Sequence, residues 1–125
     1  MKITNGTDII EINRIKQNIE KYGDKFLKRI FTKKEIEYCE KRKNSKYQSY
    51  AVRFAAKEAT YKALSEYINF KYYWNDFEVI NEKNGKPVIK LNFEINNLKS
   101  LEVSLSHCKT YAIANVIAIF QTKDE

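Results

Sequence analysis

The stretch Arg53-Phe54-Ala55-Ala56-Lys57-Glu58-Ala59-Thr60-Tyr61-Lys62-Ala63-Leu64 places three cations and a carboxylate on what its spacing predicts to be one helix. Arg53 and Lys57 stand one turn apart, as do Glu58 and Lys62. Ala51, Ala55, Ala59 and Ala63 make a second line at spacing four, so one face can approach another element closely while a neighbouring face offers charge. Upstream, Gly6-Thr7-Asp8-Ile9-Ile10-Glu11-Ile12 sets an acid inside an apolar run, where a carboxylate is costly unless paired or bound to metal. Asp8 with Glu58 suits Mg²⁺, which takes one or two carboxylates, waters and substrate phosphates. Arg53, Lys57 and Lys62 would then neutralise phosphate oxygens. The chemistry so predicted is phosphoryl-type transfer by in-line attack, driven by positioning and charge neutralisation.

Plainer roles stay open to the same residues. Glu58 and Lys62 also make an ordinary helix ion pair, worth about 0.3–0.5 kcal/mol. Asp8 also suits an edge strand with its acid in water. His107, the single histidine, closes Ser104-Leu105-Ser106-His107; it is either a surface residue or a donor to phosphate and proton shuttle. The chain contains no Gly-rich phosphate loop, zinc-ligand spacing or nucleophile elbow.

The elements that must position these groups follow from periodicity. Lys2 to Ile12 reads as a strand with Asp8, Ile10 and Ile12 on one face. Ile12, Ile15, Ile19 and Tyr22 then recur at helical spacing up to Gly23, and a short second helix carries Phe26, Leu27 and Ile30. Thr32-Lys33-Lys34-Glu35 is a capping box opening a helix that frays in the polar stretch 41–48. The charged helix spans roughly residues 49–65. Beyond Trp74 the period becomes two: Phe77 and Val79, a turn at Asn84-Gly85-Lys86-Pro87, then Ile89, Leu91 and Phe93 predict a hairpin. Leu101 to Ser106 alternates cleanly, and Tyr111 to Phe120 is apolar enough for a strand covered on both faces. Helices grouped between strands predict an α+β fold with an antiparallel sheet, in one domain spanning residues 1–125.

Composition narrows the class further. Abundant aliphatic and aromatic residues with little Gly or Pro describe an ordered globular chain. The longest apolar run, Ala112 to Phe120, is too short to span a bilayer, and the N-terminus has no signal-peptide pattern. Cys39 and Cys108 lack metal spacing and read as reduced thiols, so a cytoplasmic location is expected. Residues 13–46 hold twelve Lys or Arg against five Asp or Glu, which accounts for the whole net charge of +7. That localised basic face implies an acidic partner: nucleic acid, anionic lipid or acidic protein. The alternative is a solvated helical surface.

Five segments in register resemble the bacterial holo-[acyl-carrier-protein] synthases, the small 4'-phosphopantetheinyl transferases. They are Gly6 to Ile12, Phe31-Thr32-Lys33-Lys34-Glu35, Arg53 to Ala59 with Lys62-Ala63, Asn84-Gly85-Lys86-Pro87, and Val103-Ser104-Leu105-Ser106-His107. The resemblance covers nearly the whole chain. It implies transfer of phosphopantetheine from coenzyme A to a serine of apo acyl carrier protein, releasing 3',5'-ADP, within fatty acid biosynthesis. By position, Asp8 and Glu58 correspond to Mg²⁺ ligands and Lys62 to the cation on the diphosphate, these three forming the catalytic set. Arg53, Lys57, Ser106 and His107 correspond to further coenzyme A phosphate contacts, and Gly85-Lys86-Pro87 to part of the nucleotide pocket. The serine proton would pass to metal-bound water or to a nearby carboxylate. The resemblance also implies homotrimers with sites between protomers, and an acidic carrier docked on the helix after the first strand. Arg14 keeps a family position there, with Lys21, Lys25, Lys28 and Arg29 supplying nearby charge; no nucleic-acid or membrane partner is implied. Three departures stand out: Ser65-Glu66-Tyr67 replaces a Gly-rich turn, Glu102 stands where histidine is frequent, and Cys108 where threonine is common. Two alternatives remain at this stage: a basic nucleic-acid-binding module, and a degenerate relative that binds coenzyme A without transferring.

Overall fold

The computed structural model describes residues 1–123. Strand β1 (Lys2–Glu11) is followed by helices α1 (Ile12–Tyr22), α2 (Asp24–Ile30), α3 (Lys33–Glu40) and α4 (Lys46–Leu64). Two single 3₁₀ turns (Ser65–Tyr67 and Trp74–Asp76) lead into β2 (Phe77–Asn81), β3 (Pro87–Leu91), β4 (Leu98–His107) and β5 (Tyr111–Phe120). The α+β class expected from periodicity is the one observed.

Along β1 the side chains alternate: Thr4, Gly6, Asp8 and Ile10 turn inward, while Ile3, Asn5, Thr7, Ile9 and Glu11 turn out. The alternation stops at Ile12, which begins α1 instead of ending the strand; its amide donates to the Thr110 carbonyl at 2.9 Å. Ile12, Ile15 and Ile19 bury one helical stripe. Gly23, with φ +57°, ends α1 by donating to the Ile19 carbonyl at 2.8 Å and turns the chain into α2. The capping box forms as read: Thr32 N–H donates to Glu35 Oε1 at 2.8 Å, and Glu35 N–H to Thr32 Oγ1 at 3.3 Å.

Helix α4 starts at Lys46, earlier than the expected 49, because the Ser49 amide finds the Ser45 carbonyl at 3.0 Å and extends the helix into the polar stretch. It lies across an antiparallel sheet of order β1-β5-β4, apart from the two-stranded β2-β3 hairpin. Small residues face each other across this interface. Ala55, Ala59 and Ala63 of α4 and Ala114, Val116 and Ala118 of β5 belong to one buried cluster. Phe93 falls beyond β3 and packs edge-on against Phe70 and Phe77.

One expectation is corrected. Strand β5 is covered on only one face of the single chain: Ala112, Ala114, Val116 and Ala118 are buried, whereas Tyr111, Ile113 and Ile117 are exposed. Ile3 and Ile9 of β1 stand on the same open face, 58 % and 61 % exposed, since their register partners are Ile119 and Ile113.

Candidate active site

Asp8 lies on the inner side of β1, opposite α4. Its side chain is 17 % exposed, and the Lys62 ammonium stands 3.2 Å from its Oδ1 and 2.9 Å from the Thr7 carbonyl. So Asp8 does not point an idle acid at water from the sheet edge, and Lys62 makes its ion pair across to β1. Glu58, one turn before Lys62, shares with Asp8 a cavity of about 520 Å³ that is also bordered by Arg14, Arg29, Phe54 and Trp74. Burial raises the Glu58 carboxyl above its ordinary range, the Asp8 charge adds to the rise, and Lys62 opposes it. Two carboxylates on one cavity, partly withdrawn from water, offer oxygen ligands to a cation. Among the described residues no cluster of three His, Cys, Asp or Glu forms. The donor set therefore fits a hard oxygen-seeking ion completed by water and phosphate, and not a metal caged by protein alone.

The predicted phosphate contacts divide. Lys57 is corrected: its side chain is fully buried, with the ammonium 2.7 Å from Glu35 Oε1 and donating to the carbonyls of Phe77 and Trp74. Burial pushes its pKa down while Glu35 pulls it up. Glu35 in turn accepts the Val79 amide at 2.9 Å, so this pair clamps α3, α4 and β2 together and offers nothing to a phosphate. Arg53 is also inward. It donates to the Ser49 carbonyl and Asn81 Oδ1, and its guanidinium lies 4.1 Å from the Tyr38 ring centre. Its buried Nε has no hydrogen-bond partner among the described residues. Arg53 and His107 border a second, smaller cavity of about 150 Å³ with Arg42, Ser45 and Gln48. Sequence reading missed Arg42; the basic run 41–43 was its only signal, and such runs are usually solvated.

Gly85-Lys86-Pro87 caps the β2-β3 hairpin, Gly85 at φ +89°. The Asn81 amide donates to the Gly85 carbonyl at 3.1 Å, linking this turn to the residue that holds Arg53. Ser106 is exposed on β4. The predicted residues thus form two groups: Asp8, Glu58 and Lys62 at one place, and Arg53, His107 and the hairpin turn at another. Asp8 and Glu58 line one cavity, and Arg53 and His107 line another.

The three departures have visible consequences. Glu66 pairs with Lys2 at 3.1 Å and Tyr67 stacks on Phe120, so this acid is held near the start of β1, six residues from Asp8. Glu102 lies 3.9 Å from Lys86, both exposed. Cys108 Sγ accepts the Tyr111 amide at 3.4 Å, and backbone donors lower its thiol pKa. The basic residues Arg14, Lys21, Lys25, Lys28 and Arg29 are all exposed on α1 and α2. Arg14 and Arg29 reach the rim of the carboxylate cavity.

The sheet, the long charged helix and the two-carboxylate cavity define a class. A family model described as the 4'-phosphopantetheinyl transferase superfamily matches residues 5–116, and the chain belongs to that family. It is 45 % identical over 123 residues to the holo-[acyl-carrier-protein] synthase of Ruminiclostridium cellulolyticum, covering 94 % of this chain and 92 % of that one. With the synthase of Chloroherpeton thalassium identity is 49 %, over 90 % and 93 % of the two chains. Among solved structures, the Chronobacterium ammoniagenes ACPS–CoA complex superposes with a TM-score of 0.83 at 26 % identity, over 98 % of this chain and all of that one. The Helicobacter pylori synthase in complex with coenzyme A gives 0.80 at 34 %, over 92 % and 99 %. The resemblance read from five sequence segments is borne out.

Proposed function

We propose that the chain transfers 4'-phosphopantetheine from coenzyme A to a serine of apo acyl carrier protein. The observation that carries this reading is the Asp8–Glu58 pair beside Lys62, in a cavity whose rim holds Arg14 and Arg29. The named activity of the relatives and this geometry together favour the transferase over a nucleic-acid-binding module. Glu66, tied to Lys2, does not bring its charge to the Asp8–Lys62 pair, which favours a working enzyme over a degenerate one.

Asp8 and Glu58 would hold Mg²⁺, which supplies Lewis-acid polarisation and charge neutralisation to a diphosphate. Lys62, already at the carboxylate pair, neutralises charge on the departing phosphate. The acceptor serine oxygen forms the new bond to phosphorus, the phosphorus–oxygen bond to the nucleotide breaks, and 3',5'-ADP leaves with the electron pair. The serine proton passes to a water or to a carboxylate at the cavity. Arg14 with Lys21, Lys25, Lys28 and Arg29 steers the acidic carrier onto α1 and α2.

The same reading places the active sites between copies of the chain, in a homotrimer. The open apolar face of Ile3, Ile9, Ile113 and Ile117 gives copies a surface to bury, and the two residue groups are separate in one protomer. One copy's Asp8, Glu58 and Lys62 would then face its neighbour's Arg53, Ser106, His107 and Gly85-Lys86-Pro87. No helix among the described residues is long and apolar enough to cross a membrane, in keeping with a cytoplasmic enzyme. Co-expression of Glu58→Gln with an Arg42→Ala/His107→Ala variant tests the arrangement: composite sites regain activity that neither variant has alone. A sedimenting monomer, or no regain on mixing, sinks it.

A further inference from the structure

Helix α4 ends without a glycine cap. Side chains take its final carbonyls instead: that of Ala63 accepts the Thr4 hydroxyl at 2.6 Å, and that of Lys62 accepts the Ser65 hydroxyl at 3.3 Å. Ser65 keeps helical backbone, so the chain tightens directly into the turn Ser65–Tyr67, the segment that stands in place of a Gly-rich turn. Its two large side chains reach back to the sheet. Glu66 pairs with Lys2 at 3.1 Å, and the Lys2 ammonium also lies 5.3 Å from the centre of the Tyr67 ring. Tyr67 stacks on Phe120 with ring centres 4.1 Å apart. Phe120 is buried at the end of β5, in register with Lys2 of β1 and Leu98 of β4, so Tyr67 docks where the three strands come together.

These contacts belong to a line that ends at the chemistry. Lys2, Thr4, Gly6 and Asp8 share one side of β1. Each meets the last turns of α4 or the turn after it: Lys2 at Glu66 and Tyr67, Thr4 at Ala63, Gly6 at the backbone of Ala59 and Ala63, Asp8 at Lys62. Lys62 lies in the closing turn of α4, which ends at Leu64, and helix ends fray. A long side chain on a fraying turn is a poor fixture for a reaction that depends on placement. The exposed Lys2–Glu66 pair contributes little to holding it. The Tyr67–Phe120 stack, half-buried against the core, contributes more. Tyr67 itself borders neither the carboxylate cavity nor the cavity of Arg53 and His107.

We infer that Tyr67 is a positioning residue for the transfer: stacked on Phe120, it holds the closing turn of α4 to the sheet and so keeps the Lys62 ammonium at Asp8, without touching either substrate. The inference rests on the transferase reading above.

The test compares turnover at saturating coenzyme A, carrier protein and Mg²⁺, well below the thermal midpoint, with hydrogen exchange of the peptide spanning residues 60–66. Tyr67→Ala lowers turnover at least about fivefold and leaves the KM for carrier protein within about twofold. It also speeds exchange in that peptide, while α1 and α2 exchange as in the wild type. Tyr67→Phe, which keeps the ring, retains both turnover and protection. Lys2→Met combined with Glu66→Gln changes turnover by less than about twofold. Where Tyr67→Ala does not fold, Tyr67→Leu, which fills the space without a flat ring, carries the same expectation. Turnover of the ring-less variant within about twofold of the wild type, whatever its exchange, overturns the positioning role. Lost turnover with exchange unchanged at the helix end, or raised throughout the chain, overturns it as well; each of these leaves the transferase reading intact. If the wild type transfers nothing, the transferase reading falls and takes this inference with it.

Discussion

A Cβ built on Gly6 would stand 2.0 Å from the carbonyl oxygen of Ala59 and 2.8 Å from the amide nitrogen of Ala63. Strand β1 therefore touches the backbone of α4, and this contact brings Asp8, two residues on, within reach of Lys62 and the cavity of Glu58. Gly6→Ala must push strand and helix apart, because the atoms in the way are backbone. Overpacking of this kind costs about 1–3 kcal/mol or more. The expected result is a thermal midpoint lowered by several degrees, together with a loss of turnover larger than the stability change explains at temperatures where the variant remains folded. A variant with normal turnover would show that the close approach does not position Asp8.

The buried pair Lys57–Glu35 predicts a non-additive result. Removing one partner strands a charge in the core and costs about 3–5 kcal/mol. Lys57→Met and Glu35→Gln should each destabilise strongly in urea, whereas the double variant should lose much less than the two single losses summed. Glu35→Gln retains an oxygen to serve the Thr32 or Val79 amide, so it should be the milder single change. Strict additivity would mean that the pair is not coupled in solution.

Glu58→Gln removes one ligand charge while keeping shape. Turnover should disappear and the fold should persist. The raised Glu58 carboxyl binds its proton more tightly folded than unfolded, so its ionisation opposes folding. That cost begins as pH rises through the unfolded value of about 4.3 and is complete above the raised folded value. Glu58→Gln should consequently match or exceed the wild type in stability at neutral pH, with the advantage vanishing in acid. Chemical denaturation across pH reads this directly. A variant less stable than the wild type at neutral pH would contradict the sign.

Charge reversal at Arg14 should raise the KM for carrier protein severalfold and leave that for coenzyme A nearly unchanged. Added salt should shrink the difference, because the residue is exposed and acts through screened attraction. Equal effects on both substrates would remove α1 as the docking helix.

The grouping of Asp8, Glu58 and Lys62 was legible because an acid in an apolar strand and a carboxylate one turn from a lysine are each unusual, and the alanine line implied close approach. Lys57 was not. On a helix it lies next to Glu58 but points to the following face, and its partner Glu35 belongs to another helix. Periodicity within α4 could not show which charged line faced the core. The capping box of Thr32 and Glu35 was visible, yet not that its carboxylate also serves Lys57. The apolar run of β5 was read as covered twice; in one chain it is covered once.

The most direct test of the central claim is the intact mass of apo acyl carrier protein after incubation with this protein, coenzyme A and Mg²⁺, run beside a chelator control. The account predicts a gain of one phosphopantetheine group, abolished by chelation and absent with Glu58→Gln. An unmodified carrier under conditions where a characterised synthase modifies it, or a gain indifferent to both chelator and Glu58, would contradict it.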